Sequence, residues 1–437
     1  MKYRPSTPFI ICLVPMLAVA GTAGWAWSKV NSVPAHKRAD MSFFDALRYR
    51  ENDRRIFEEP TPEQLAAVRP QVIELKQKML AEFPDLAITG QPVPDEENGF
   101  LLFYELTQGS GRAPGETMPV TPELRNFLNP AAAWDPVAIR AALEANGDLI
   151  AKIEHIAALP KRSSANMPAD YNGFISARDM KVCSDILLMK ARLAADAKDE
   201  TEALRLVTAN FHLASHCDQA EAVSLLGVTV GILIDLQVED AILTKLLPAL
   251  GRDADLPRWR AALTSRPPST VDRFSNVLRG DWHATGVHLL FPTVLAMKDR
   301  PEDYEELIRA YTSQFDSFSK MIQGQNHAIL LNLPAMPSPK VTLSSKSREI
   351  LEMFNIGNTA WGKGYARASS IRARNLAALD LLVLEKSGTA LTAESVSTVT
   401  PEPLSGEAFV YDPATRTISA PPAIAEEAGV IPLALPW

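Results

Sequence analysis

The fold of this protein is decided by residues 174–217, which read FISARDMKVCSDILLMKARLAADAKDETEALRLVTANFHLASHC. Apolar residues recur in it at helical spacing, which predicts two helices, 174–195 and 201–217. A short polar turn from Ala197 to Thr201 separates them. Because so short a link turns the second helix back along the first, we expect an antiparallel helical hairpin.

Helical patterns continue on both sides of this hairpin. Thr61-Pro62-Glu63-Gln64 supplies an N-cap, a proline at the first helical position and a capping-box glutamine. Asp135-Pro136 repeats the cap-and-proline start. The further predicted helices are 61–83, 135–159, 222–247, 270–279, 302–323, 345–356 and 360–386. The short apolar segment 99–106 fits a helix or a strand, and the helical segments around it favour a helix.

The segment 222–247 is apolar on nearly every side, so we expect it at the centre of a bundle. A membrane span is the alternative interpretation, which Asp235 in its middle opposes.

The pattern changes to strand near the C terminus, where 409–411 and 417–419 flank a turn and predict a β-hairpin. The apolar end, 431–437, is expected to dock on the rest of the chain. The predicted fold is mainly α: an antiparallel helical bundle or a short tetratricopeptide-like array with a small C-terminal β-hairpin. The predicted divisions are a leader at 1–28, an N-terminal helical region at 41–160, a central helical bundle at 161–387 and an extended C-terminal tail at 388–437.

Composition places the chain among ordinary folded proteins. It has 437 residues, of which 46% are hydrophobic and 22% charged, so it is neither disordered nor a multi-span membrane protein. Its 44 basic and 52 acidic residues give a net charge of -8. That balance argues against nucleic acid as a partner, since nucleic-acid binding requires a basic face.

The N terminus has the pattern of an export segment. Lys2 and Arg4 precede an uncharged stretch from Pro8 to Trp27, which is long enough to span a bilayer as a helix. The sequence Ala18-Val19-Ala20 also fits a signal-peptidase site. Both alternatives export the remainder: anchored in the inner membrane and facing the periplasm, or periplasmic after cleavage, with membrane contact through this segment only.

Cys183 and Cys217 are the cysteines that follow the leader, and an oxidising compartment would permit a disulfide between them. The alternative is two buried thiols that pack as small hydrophobic side chains.

His212 and His216 lie four residues apart, on one face of a predicted helix. This spacing can chelate zinc, because neighbouring turns bring both imidazoles to one point. No third ligand is obvious in the sequence, so the alternative is a helix surface or bundle edge.

Asp281, His283 and His288 form a second polar cluster beside two arginines, and could act as an acid–base pair. The alternative is structural: residues 278–280 end a helix and Trp282 is buried.

The common hydrolytic and nucleotide-binding motifs are absent from the sequence. There is no Gly-x-Ser-x-Gly elbow, no Walker loop, no dinucleotide Gly-x-Gly-x-x-Gly and no His-Glu-x-x-His. We therefore favour a protein that is not an enzyme and needs no cofactor, with zinc as the alternative. A glycosidase dyad stays open, because its carboxylates need not be adjacent in sequence.

Two stretches carry a resemblance to a known group. One is the helical centre, 187–214, and the other is a long helix, 366–385, followed by Pro-Leu-Ser-Gly-Glu-Ala-Phe-Val-Tyr at 403–411. Together they resemble uncharacterised exported proteins of planctomycetes and verrucomicrobia, and the tail is similar to the end of type II secretion pseudopilins. The tail has Glu402 and Ala408 where the similar pattern has aspartate and proline. The resemblance implies an exported helical protein and no particular activity.

The sequence thus favours a non-catalytic scaffold or adaptor of the cell envelope that binds an envelope protein through its helical surface. The alternatives are a secreted hydrolase and a protein that binds a metal or another small ligand.

Overall fold

The computed structural model describes residues 61–88, 90–109, 118–129, 131–165, 167, 176–266, 270–334, 336–337, 341–354 and 358–437. The predicted leader, 1–28, lies outside these residues.

The described chain is mainly helical, with a small antiparallel sheet near the C terminus, which confirms the predicted fold class. The helices are α1 Pro62–Glu82, α2 Gly99–Tyr104, α3 Pro122–Phe127, α4 Pro136–Glu144, α5 Gly147–Ala158, α6 Ala177–Asp196, α7 Glu200–Asp218, α8 Leu225–Ala241, α9 Leu247–Leu250, α10 Leu256–Thr264, α11 Val271–Asp281, α12 Phe291–Ala296, α13 Tyr304–Ile322, α14 Ser345–Phe354, α15 Asn358–Lys386 and α16 Pro422–Ala428.

Helix starts follow the local capping chemistry. Gln64 N donates to Thr61 Oγ1 at 3.3 Å and Thr61 N donates to Gln64 Oε1 at 2.8 Å, which completes the predicted capping box of α1. Asp135 Oδ1 accepts from Val137 N and Ala138 N at 3.1 Å each and caps α4. These bonds replace the helical partners that the first amide groups lack.

The structure corrects the prediction of one helix over 135–159. Two helices, α4 and α5, cover this stretch, and Ala145 and Asn146 separate them. Both helices bury the apolar positions of this pattern. The apolar spacing therefore continues through the break unchanged and does not reveal it. The short helices α10, α12 and α16 were not predicted.

The chain divides into two compact units. The described residues of unit 1 lie within 61–87, 285–321 and 332–364. Within it, α1 packs on α12, and exposed ion pairs join α1 to α13, among them Arg309 Nε to Glu82 Oε2 at 3.0 Å. Asp303 accepts from Ser344 N at 2.7 Å and thereby holds the segment before α14.

Unit 2 comprises residues 88–284, 322–331 and 365–437. The predicted hairpin of α6 and α7 forms its centre, and α8 packs against α7. The approach is close at Gly231 of α8, where a Cβ would lie 2.7 Å from Asp218 Cβ and 2.9 Å from Ala214 O. Within the described part of the chain, no helix combines the length and the apolar character needed to cross a membrane.

The C-terminal sheet holds three strands: β1 Val410–Asp412, β2 Thr417–Ser419 and β3 Leu433–Ala434. Strands β1 and β2 form the predicted hairpin, with Tyr411 opposite Ile418. The chain end adds β3, which places Leu433 opposite Ile418, and Leu435 N donates to Arg416 O at 2.8 Å. The apolar end therefore docks as expected, through strand pairing as well as side-chain burial.

Candidate functional site

A groove runs along unit 2 between the α4–α5 corner and the α6–α7 hairpin, and we call it the helical groove. Its volume is about 570 Å³. The floor is apolar, and α4, α5, α6 and α7 all contribute to it. The floor residues are Leu143, Ile150, Leu193, Ala194 and Leu206.

Asn146 fixes the corner at one side of the helical groove. Its amide donates to Ala142 O at 2.7 Å and to Thr121 Oγ1 at 3.0 Å, and its Oδ1 accepts from Thr121 N at 3.0 Å. Asn146 is buried, so these bonds replace water. The corner is thus held by a satisfied polar side chain and not only by apolar packing.

The α6–α7 turn closes one end of the groove. Lys198 takes a left-handed conformation there, with φ of 63°, and its N–H donates to Ala195 O at 3.0 Å. Asp199 then caps α7 by accepting from Glu202 N at 3.0 Å. The turn places Ala197 and Asp199 on the groove lining.

Glu154 of α5 joins three of the four helices that border the groove: α5, α6 and α7. It accepts a hydrogen bond from Lys190 of α6, and Arg205 Nη2 of α7 donates to its Oε2 at 2.8 Å. Burial raises the pKa of Glu154, but the hydrogen bonds from the two cations outweigh burial and the net pKa is lowered. Glu154 is therefore an anion that both cations hold in place.

Charge on the groove lining is biased towards acid. Four acidic and two basic side chains line it, so the lining residues carry a net charge of -2. They are Glu144, Glu154, Asp199, Glu202, Arg140 and Lys190. An apolar floor under such a rim suits a protein segment with an apolar face and a basic flank.

The apolar surface continues beyond the groove along α4. Val137 is 76% exposed and lies one turn before Arg140, on the same side of the helix. Close by, Trp134 Nε1 donates to Asp196 Oδ2 at 2.9 Å, and Arg192 Cζ lies 4.0 Å from the centre of the Trp134 ring. The tryptophan thus fixes the segment before α4 against α6.

The predicted histidine pair lies beside the end of α5. His212 Nδ1 is 3.2 Å from Ala157 O, and His216 Nε2 is 3.1 Å from Ile156 O. These carbonyls belong to the last turn of α5, where the usual partners four residues on are missing, and Ile156 O also accepts from Leu159 N at 3.2 Å. The four-residue spacing therefore matches two successive carbonyl groups.

The described residues around this pair supply no third ligand to it. Among the residues that the structure describes, no group of three or more His, Cys, Asp or Glu side chains could hold a metal ion. Burial, and secondly the charge of Arg162, lower the pKa of His216 to about 3. His216 is therefore neutral, and its Nε2 carries the proton that Ile156 O accepts.

We predict that His216→Ala lowers the free energy of unfolding by about 2 kcal/mol, because it removes a buried hydrogen bond and leaves a cavity. The cavity would open beside Gly99, where a Cβ would come within 2.2 Å of the imidazole Cε1. Urea unfolding at pH 7.5 measures the change. His155→Ala, at an exposed position of α5, is the matched control and should leave the midpoint in place. An equal effect of both variants would contradict this role.

Cys183 and Cys217 are buried thiols, and the structure does not join them in a disulfide. Cys183 Sγ lies 3.9 Å from Met118 Sδ. Cys217 Sγ lies 2.8 Å from Met180 Sδ and 3.3 Å from Leu213 O. Each sulfur thus has a methionine sulfur as its neighbour.

The second predicted cluster is divided between the two units: Asp281 and His283 belong to unit 2, and His288 belongs to unit 1. Asp281 Oδ1 accepts from Leu225 N at 2.8 Å, so it binds the first amide of α8. The His283 ring packs edge-on against Trp282, with centroids 4.7 Å apart, and both are buried. His288 belongs to unit 1, where burial, and secondly Lys76, lower its pKa to about 4.

Comparison with known proteins identifies no relative of this chain. No family model matches the chain. No curated protein and no solved structure matches it either. The resemblance to exported proteins stays a prediction.

A buried ionic network in unit 2 was not predicted from the sequence. Arg266 is 3% exposed and donates through Nε to Asp235 Oδ2 at 2.9 Å and through Nη2 to Asp218 Oδ2 at 2.8 Å. Arg273 Nη2 also donates to Asp218 Oδ2 at 2.8 Å. Burial lowers the pKa of Arg266, but the two carboxylates raise it more, so Arg266 stays a cation.

Glu239 lies one turn beyond Asp235 on α8 and is fully buried. Its Oε2 accepts from Asn375 Nδ2 at 3.0 Å, and its Oε1 lies 3.7 Å from Arg372 Nε. Burial raises the pKa of Glu239 to about 7, against the opposing charge of Arg372. Asp235 in an apolar helix was the one sequence signal for such a network, since a buried acid requires a partner.

Proposed function

We propose that this protein is a non-catalytic scaffold or adaptor that binds a segment of another protein in the helical groove. The observation that carries the proposal is the apolar floor between two helical pairs, open to solvent and bordered by charge. Peptide segments bind such grooves by burying an apolar face while their polar flanks meet the rim. The ionic ties at Glu154 hold α5, α6 and α7 in place before binding, which reduces the entropy that binding costs.

The export pattern of the first 28 residues supports a partner in the cell envelope. We propose that the groove faces that compartment, with the chain either anchored by its leader or released by cleavage.

A photo-crosslinking amino acid at position 151 tests the groove in cells that make the protein. Ala151 is an exposed residue of α5 that lines the groove. We expect one discrete crosslinked protein from position 151 and none from position 141. Ala141 is the matched control, because it is an exposed alanine of α4 outside the lining.

A blocking variant gives the quantitative test. Ala197→Trp places an indole over the groove floor and should lower the crosslink yield from position 151 at least about tenfold, which corresponds to about 1.4 kcal/mol of binding free energy. Ala141→Trp should leave the yield unchanged. Absence of a crosslink from position 151, or the same product from both positions, would overturn the proposal.

A further inference from the structure

The helical groove is built from helices, and this limits what its occupant can be. Every lining residue lies in α4, α5, α6 or α7, apart from Ala197 and Asp199 in the α6–α7 turn. Among the described strands, β1, β2 and β3 contribute no residue to the lining. The groove therefore offers no sheet edge with which an extended segment could pair.

Backbone hydrogen bonding then favours an α-helical occupant. An extended segment would bury its own N–H and C=O groups on apolar side chains without partners, which is unfavourable. An α-helix pairs these groups within itself and presents side chains to its surroundings. An amphipathic helix also carries its apolar residues on one face, which matches an apolar floor.

The size of the groove sets the number of side chains that it can take. Its volume is about 570 Å³. A cavity of roughly 150 Å³ holds one benzene-sized group, so the groove holds about three large apolar side chains. On a helix, three such side chains at positions i, i+4 and i+7 lie on one face and span about 10 Å.

Most of the charge on the groove rim is paired within the protein. Glu154 accepts hydrogen bonds from Lys190 and Arg205. Arg205 also donates to both carboxylate oxygens of Glu202, through Nε at 2.6 Å and through Nη2 at 2.7 Å. These two acids and two bases neutralise one another and offer no net charge to a partner.

Three charges on the groove lining stay available to a partner. Arg140 and Glu144 are exposed, lie one turn apart on α4, and form no ion pair within the described part of the chain. Asp199 is exposed as well, and its Oδ1 already accepts from Glu202 N. Glu144 is the last residue of α4, where the helix dipole adds to its negative charge. Two acids against one base favour a basic flank on the occupant, with its basic residue beside Glu144.

We infer that the helical groove binds an amphipathic α-helix of the partner. Its apolar side chains at positions i, i+4 and i+7 lie on the groove floor, and a lysine or arginine on its flank lies beside Glu144. This inference rests on the proposed function, because it names the kind of segment that the groove binds.

Peptide competition against the crosslink from position 151 tests the conformation, in a lysate of cells that make the whole protein. The probes are two synthetic peptides of one composition, rich in alanine and glutamine, with three leucines and flanking lysines. In the first the leucines stand at i, i+4 and i+7, and in the second they alternate at i, i+2 and i+4. We expect an excess of the first peptide to lower the crosslink yield at least about tenfold, and the second to leave it unchanged.

The outcomes separate this inference from the proposed function. Equal competition by both peptides, or competition by neither, while the crosslink itself forms, would overturn the helical occupant and leave the proposed function standing. Absence of the crosslink from position 151 would overturn both.

Charge reversal at Glu144 tests the basic flank. Glu144→Lys should lower the crosslink yield from position 151 about tenfold, because the new lysine would repel the basic residue of the partner. The change is compatible with folding, since position 144 is exposed and a cation is favourable at the end of a helix. Glu123→Lys is the matched control, because Glu123 is an exposed acid of α3 outside the lining. An unchanged yield in Glu144→Lys, or an equal decrease in both variants, would overturn the basic flank.

Discussion

Replacement of Arg266 by methionine is expected to lower the free energy of unfolding by about 3–5 kcal/mol. The substitution preserves most of the buried volume but removes the cation between Asp218 and Asp235. Both carboxylates are then left in the core of unit 2 with one counter-charge fewer. Desolvation of a charge costs several kcal/mol. Asp218 keeps its hydrogen bond from Arg273, whereas Asp235 loses both of its hydrogen bonds from Arg266.

The position of Arg266 amplifies this effect. Its side chain reaches Ser215 and Asp218 at the end of α7 and Asp235 on α8, and its backbone O accepts from Arg372 Nη2 of α15 at 2.7 Å. Loss of the guanidinium therefore loosens α7 from α8, next to the close approach at Gly231.

Urea unfolding at pH 7.5 measures the loss. Arg258→Met, at an exposed position of α10, is the matched control and should stay within about 0.5 kcal/mol of wild type. The double variant Arg266→Met/Asp235→Asn should recover part of the loss, because it also removes a stranded charge. A loss below about 1 kcal/mol in the single variant would contradict the network's role.

Substitution of Glu239 by glutamine should remove a pH dependence of stability worth about 3 kcal/mol between pH 4.5 and pH 7. In the folded chain the pKa of Glu239 is raised to about 7 by burial, against an ordinary value of 4.5. The folded state therefore binds more protons than the unfolded state in this range. Wild type consequently gains stability from this group as the pH falls to 4.5, and loses it as the pH rises through 7.

The readout is the difference in unfolding free energy between Glu239→Gln and wild type, at pH values from 4.5 to 8. This difference should be largest above pH 7 and shrink as the pH falls. The variant is compared with wild type at each pH because His216 and His288 change the unfolding free energy of both proteins with pH, in the direction opposite to Glu239. Burial holds both of them neutral, so their contribution is lost as the pH falls below about 6.5. Glu123→Gln, at an exposed site of α3, should show no such change, and a pH-independent difference for Glu239→Gln would refute the prediction.

Local signals were sufficient for the long helices and for the β-hairpin. The capping box at Thr61, the proline that follows Asp135 and the short turn before Asp199 each act within a few residues, so their outcome can be predicted without the rest of the chain. The same reasoning failed at Asn146. Its break is stabilised by Thr121, which lies 25 residues away.

The candidate sites depended on tertiary structure to a greater degree. His212 and His216 were correctly placed on one face of a helix, but what that face meets, the end of α5, could not be derived from spacing. Likewise, Asp235 indicated a buried acid, and nothing in the sequence assigned Arg266 to it. The helical groove has no sequence motif, because its floor consists of ordinary helix-forming apolar residues.

The sequence by itself determined the helical class, the antiparallel hairpin at 174–217 and the strand pair near the C terminus, since hydrophobic period, caps and turns are properties of neighbouring residues. Only the tertiary structure decided which charges are buried together, which sulfur atoms meet and where the helices leave a groove. Those properties depend on side chains far apart in the sequence, such as Glu239 and Asn375, which are 136 residues apart, and the packing of whole helices brings such side chains together.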